Sequence, residues 1–157
     1  MNNLKDAKNE LINTVTNNVD LVAWLVANFG VGTAFTVIES QREVEQIDGN
    51  EFPAFILEIG DDADLGPYMI GSTEQDVTGN LFEFSIAWYE NDRTKLLDQR
   101  LELIRLVKDA LSANKKLNNG SNNTVNECRL SSFQNDKTIF FPQHFMNFVV
   151  YIDTNIN

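Results

Sequence analysis

Cysteine, histidine and basic residues are scarce in this chain, and each scarcity excludes something. A single cysteine, Cys128, leaves no partner for a disulfide within the 157 residues and fits a reducing compartment. The single histidine, His144, lacks the companions that a catalytic triad or a His-rich metal site requires, and beside Pro142-Gln143 it reads as a turn residue. Twelve Lys and Arg stand against 23 Asp and Glu, a net charge of −11. Gripping nucleic acid through its phosphates needs clustered cations that release counterions, so that class is disfavoured. Long apolar runs are missing too. The longest, Leu21 to Phe29, is interrupted by Asn28 and falls short of the ~20 residues that span a bilayer. Met1 to Asp6 shows no basic segment followed by an apolar core, so no signal peptide is expected there. A soluble protein made in a cytoplasm, with no membrane partner, is the expectation.

What is present is material for a core. Hydrophobic residues make up 43% of the chain and eleven of them are Phe. One domain over residues 1–157 is expected, burying roughly two thirds of the surface of its unfolded chain. Leu4, Ala7, Leu11, Ile12 and Val15 recur three or four apart and predict a helix over residues 3–16. Asn17-Asn18 interrupts it, and Val19 to Asn28 continues as helix with Asp20 as N-cap and Gly30 as stop; one bent helix and two helices both fit. Phe35 to Ile38 predicts a short strand, Glu39 to Asn50 a loop or hairpin turn, and Phe52 to Ile59 a strand covered on both faces. Gly60 to Pro67 is an acidic turn. Tyr68 to Ile70 and Glu74 to Thr78 read as an added strand or an extended arm, with Gly79-Asn80 turning the chain back.

Leu81 to Tyr89 alternates cleanly: Phe82, Phe84, Ile86 and Trp88 on one face, Glu83, Ser85, Ala87 and Tyr89 on the other. A sharp turn at Asn91-Asp92 leads into an amphipathic helix over Arg93 to Ala113. Leu97, Leu101, Ile104 and Leu111 form one apolar stripe of this helix, beside Leu96, Leu103, Val107 and Ala110. So broad an arc predicts one face on the sheet and part of the rest against another surface. Its cations Arg93, Lys95, Arg100, Arg105 and Lys108 alternate with Asp98, Glu102 and Asp109, a solvated face rather than a basic stripe. Asn114 to Asn123 reads as a polar, mobile linker. Val125 to Phe133 is a weaker strand, with Thr138 to Phe141 in the same excursion, and Phe145 to Ile152 a strong one. The expected fold is α+β: a mixed, mostly antiparallel sheet packed against an N-terminal helical segment and one long amphipathic helix.

No set of residues reads as a catalytic, cofactor or metal site, and a structural protein is expected instead of an enzyme. Cys128 reads as a small buried or half-buried residue. Glu58, Asp61, Asp62 and Asp64 offer oxygen ligands but lack the spacing of a calcium loop, and read as a solvated acidic turn. Gly30-Val31-Gly32 follows a helix instead of opening one, so it is no phosphate loop. Asn119-Gly120-Ser121 and Asn122-Asn123-Thr124 match the glycosylation pattern by chance within an Asn-rich stretch. Trp24 and Trp88 read as core or interface residues.

Four features together resemble the tail terminator (tail completion) proteins of tailed bacteriophages. They are the N-terminal helix ahead of the sheet, the strand Glu51-Phe52-Pro53-Ala54-Phe55-Ile56-Leu57-Glu58, the strand Phe84-Ser85-Ile86-Ala87-Trp88-Tyr89 running directly into the helix with Leu97-Asp98 and Leu101 to Leu111, and the closing strand Phe148-Val149-Val150-Tyr151-Ile152. The Asn114 to Phe141 excursion is not part of that pattern. The resemblance implies a ring, typically a hexamer, that caps the tail tube and joins it to the head through neck, head-completion or portal proteins. It places the protein in the tail or neck of the virion, and in the host cytoplasm during assembly. Partners would be further copies of itself, the tube protein and the neck proteins; DNA would pass through without specific binding, past an acidic wall that repels phosphate. Trp88, Tyr89 and Phe141 are the candidate interface residues, and residues 41–50, 61–79 and 114–123 the loops for axial contacts. Two alternatives stay open: a head-completion or neck connector protein, and a small cytosolic domain whose sheet and helix form a groove for a peptide or protein.

Overall fold

The computed structural model of the chain describes residues 3–39, 47–59, 68–70, 73–75, 77–115, 117, 125–135 and 140–155. Its helices are α1 (Asn3–Thr16), α2 (Val19–Phe29) and α3 (Arg93–Ala113). Its strands are β1 (Thr36–Ile38), β2 (Ala54–Ile59), β3 (Tyr68–Ile70), β4 (Thr73–Gln75), β5 (Val77–Tyr89), β6 (Val125–Asn135) and β7 (Gln143–Asn155). Five of them form one sheet in the order β1-β2-β5-β7-β6, with β1 parallel to β2 and the other pairs antiparallel. The expected α+β architecture is present. None of the described helices is long and apolar enough to cross a membrane.

Period-two alternation places the core. On β5 and β7 the residues Phe82, Phe84, Ile86, Trp88, Met146, Phe148, Val150 and Ile152 all turn to the helices and are buried. Phe84 stacks between Phe55 of β2 and Phe148 of β7, with ring centroids 4.9 and 5.1 Å apart. This three-strand aromatic ladder lies in the range where offset stacking is favourable. Ala7, Leu11, Val15, Leu21, Leu25, Leu103 and Val107 close over it from the helices. A smaller cluster covers the opposite face of β1 and β2, where Ile38, Ile47, Ala54, Ile56 and Ala87 meet Phe52 and Phe145. The near-continuous apolar run of β2 is therefore buried on both sides, as its sequence predicts.

Local chemistry sets the helix ends. Asn18, not Asp20, caps α2: its Oδ1 accepts from the backbone N–H groups of Asp20 and Leu21 at 3.0 and 3.1 Å. One amide side chain thus satisfies two of the orphan donors that a helix start leaves open. Asp20 lies in the first turn, where its charge suits the helix dipole. Gly30 ends α2 at φ 110°, a conformation only glycine adopts without strain, and α1 and α2 are separate helices. Asp92 caps α3, accepting from the N–H and the hydroxyl of Thr94 at 2.9 and 2.6 Å. Those bonds hold its carboxyl below the usual carboxylate range.

Three expectations change. Gly79-Asn80 does not turn the chain; both sit inside β5, opposite Asp153 and Ile152, because β7 offers backbone partners along its whole length and the ladder overrides local turn preference. Tyr68–Ile70 and Thr73–Gln75 pair with each other as a separate two-stranded sheet, while Val77 and Thr78 join β5. The stretch after α3 does not begin as a free linker. Leu117 is fully buried at φ 50°, its N–H donates to Asn114, and the carbonyl of Lys115 accepts from Cys128 in β6. Burying a leucine offsets the roughly 1–2 kcal/mol that a left-handed backbone costs a non-glycine residue. Residues 118–123, the axial-loop stretches 41–46, 61–67, 71–72 and 76, and the acidic group Asp61, Asp62 and Asp64 lie outside the described residues.

Candidate functional site

The most organised polar region lies where β5 hands over to α3. Trp88 ends the buried face of β5 and cannot leave its indole N–H unpaired without a desolvation cost. Gln99, two turns into α3, supplies the acceptor at 3.0 Å. The amide nitrogen of the same Gln99 donates to Glu90 Oε1 at 2.6 Å and to Asn28 Oδ1 at 3.2 Å, and Asn28 in turn donates to the carbonyl of Trp24 at 2.9 Å. One side chain therefore joins β5, α2 and α3. Glu90 extends the network: its other carboxylate oxygen accepts from the Asp92 N–H at 3.2 Å, and its N–H donates to the carbonyl of Pro142 at 2.9 Å.

His144 belongs to this network. It is a strand residue of β7 with no exposed surface, not the turn residue its Pro142-Gln143 neighbours suggest, because the turn closes one residue earlier. Its Nε2 lies 2.9 Å from the carbonyl of Glu90; a carbonyl only accepts, so this contact puts the proton on Nε2. The ring lies against Trp88 and Phe141, with centroids 5.9 and 5.5 Å away. Arg100 is buried with its guanidinium 5.6 Å from the Trp88 ring. Gln99, Glu90, Asn28 and His144 Nε2 each take part in a bond that crosses from one element to another. The network tethers a strand end to two helices.

Between α2 and α3 runs a groove of about 400 Å³, lined by Trp24, Asn28, Thr94, Lys95, Asp98 and Glu102. Trp24 packs edge-on to Trp88 and Phe29, at 5.9 and 5.6 Å, and its indole N–H has no acceptor among the described residues. Among the described residues no three His, Cys, Asp or Glu come together as metal ligands. Cys128 is buried, as its sequence reading expects, and burial, followed by the charge of Glu127, pushes its thiol up to about 12.

The three candidate interface residues part company. Trp88 is enclosed in the protomer, because its place in the alternation of β5 turns it to the helices; it offers no surface, which corrects its reading as an interface residue. Tyr89, one residue on, is 50% exposed. Phe141 is half-buried beneath the Arg93 guanidinium, 3.9 Å from its ring centre. Leu97 and Leu101, part of the α3 arc of which some was expected to meet another surface, are exposed at 64% and 56%, and Phe133 of β6 at 43%. One signal for the polar network was available: Gln99 and Arg100 sit inside the apolar arc of α3, eleven and twelve residues after a tryptophan that needs an acceptor.

No protein-family model and no curated protein matches the sequence. Among solved structures, a chain from the virion of a native gene transfer agent (GTA) particle is similar over 89% of this chain and 90% of its own length. The identity is 12% and the TM-score 0.48, a likeness that carries no argument about what this chain does.

Proposed function

We propose that the chain is a structural virion protein of a tailed phage, a tail terminator that forms a ring, caps the tail tube and connects it to the neck, with no reaction of its own. The observation that carries the reading is the layout quoted for the resemblance. Two N-terminal helices precede the sheet, β5 runs through the three residues Glu90, Asn91 and Asp92 into α3, and β7 closes the chain in the interior of the sheet between β5 and β6. Exposed apolar residues on α3 and β6, with Tyr89 and Phe141 at one end of the sheet, supply surface for neighbours in such a ring. The net charge of −11 suits a wall past which DNA slides. The test is to add the purified protein to growing tail tubes. A terminator fixes tube length and appears as a ring on one end in negative stain; tubes that grow on, uncapped, overturn the reading.

A second reading, a domain that binds a segment of another protein, is favoured by the α2–α3 groove with Trp24 in its wall. Titrating peptides that fill the groove would change Trp24 fluorescence without any effect on tubes.

A further inference from the structure

Among the described residues, the exposed large apolar ones other than Val19 of α2 and Tyr89 of β5 lie toward the two ends of the sheet. At one end are Leu97 and Leu101 of α3 and Phe133 of β6, elements that pack together. Leu97 and Leu101 sit on the flank of α3 turned away from α2, since the groove to α2 is lined by Thr94, Lys95, Asp98 and Glu102 instead. β6 is the last strand of the sheet and pairs only with β7 among the described strands. Toward the opposite end are Val37 of edge strand β1, 40% exposed, and Val31 of the segment leading from α2 to β1, 96% exposed.

The charges at the two ends differ in sign. Arg93 and Lys108 bracket the α3 stripe, in the spacing Arg93-Leu97-Leu101-Ile104-Lys108 that keeps all five on one flank of a helix. The β1 end carries Asp48 and Glu51, while its Glu39 is already ion-paired with Lys8 at 2.6 Å. A two-fold dimer joins a patch to its own copy and would set like charge against like, leaving the other apolar end uncovered. Head-to-tail contact covers both ends at once and pairs cation with carboxylate.

We infer that the α3–β6 flank of one copy docks on the β1 end of a second copy, with Leu97, Leu101 and Phe133 meeting Val31 and Val37. This deepens the ring reading above and rests on it, because repeated head-to-tail contact closes into a ring when the rotation permits.

Complementary variants test it. Leu101→Glu/Phe133→Glu blocks one surface and Val31→Glu/Val37→Glu the other; all four sites are exposed, and circular dichroism checks that each variant folds. Light scattering of the wild-type protein is expected to give a discrete multiple of 17.8 kDa, and each variant alone the monomer. A 1:1 mixture is expected to give a dimer, since each variant keeps the one surface that the other has lost. Assembly of either variant like the wild type overturns the assignment, and dimers of the Val31→Glu/Val37→Glu variant alone overturn the head-to-tail pairing. A wild-type chain that is monomeric at every concentration overturns self-docking itself. Should a double variant misfold, Lys108→Glu at an exposed helix position is expected to weaken association about tenfold; an unchanged dissociation constant rejects the charge pairing. A wild-type ring that leaves tubes uncapped rejects the virion role while the docking surface stands.

Discussion

The two faces of the same strands live in different surroundings. On β5 and β7 the helix-facing side is a closed aromatic and aliphatic core around the Phe55-Phe84-Phe148 stack. The outer side, with Glu83, Ser85, Asn147, Val149 and Tyr151, is half-buried and mixed. Ser85 and Asn147 hydrogen-bond across it at 3.1 Å, and Arg129 lies over Tyr151 at 4.7 Å. One set of alternate residues specifies the fold; the other leaves room for contact chemistry. A one-residue slip of register would exchange them, so the hydrophobic alternation also fixes the pairing.

The sharpest break of this contrast is Phe84→Ala against Ser85→Ala. Removing the middle ring of the stack is expected to cost about 3–5 kcal/mol in urea unfolding. Its neighbour on the outer face is expected to cost about 1 kcal/mol, the lost bond to Asn147. Equal losses would erase the distinction between the faces. Next in size is Gln99→Leu, which leaves the buried Trp88 N–H without its acceptor and frees Glu90 and Asn28; about 1–3 kcal/mol is expected, with a shift in Trp fluorescence. Asn18→Ala removes two donors' partner at the start of α2 and is expected to cost about 1 kcal/mol, whereas Asp20→Ala, which removes no cap bond, is expected to cost less.

The smallest effect concerns Asp153 on the outer side. Burial first, then Glu127, raise its carboxyl, and Arg129 opposes them. Because the folded chain holds that proton more tightly, stability is expected to fall as pH rises from the ordinary aspartate range through the raised value. Asp153→Asn should flatten that part of the stability curve; an unchanged curve would mean the carboxyl has no such influence.

Much of this fold was legible because its strongest signals are periodic. The alternation of Phe82 to Trp88 and of Met146 to Ile152, and the apolar arc of Arg93–Ala113 after Asp92, are patterns that a sheet with a helix laid across it satisfies. The misreadings fell where a local preference met a long-range partner. Gly79-Asn80 looks like a turn until β7 is alongside, Leu117 looks like linker until the core accepts it, and His144 looks like a turn residue until Glu90 and Trp88 surround it. Trp88, read from the sequence as a core or interface residue, is enclosed, and of the broad apolar arc of α3 it is Leu97 and Leu101 that stay exposed. Periodicity identifies an apolar stripe, but which of two adjacent stripes of α3 meets the sheet depends on how α2 lies beside it.

The measurement closest to the central claim is the mass of the wild-type protein in solution, by light scattering across a range of concentrations. The account predicts a discrete closed species, near six times 17.8 kDa for a hexamer and ring-shaped in negative stain. A species that remains at 17.8 kDa throughout would contradict it.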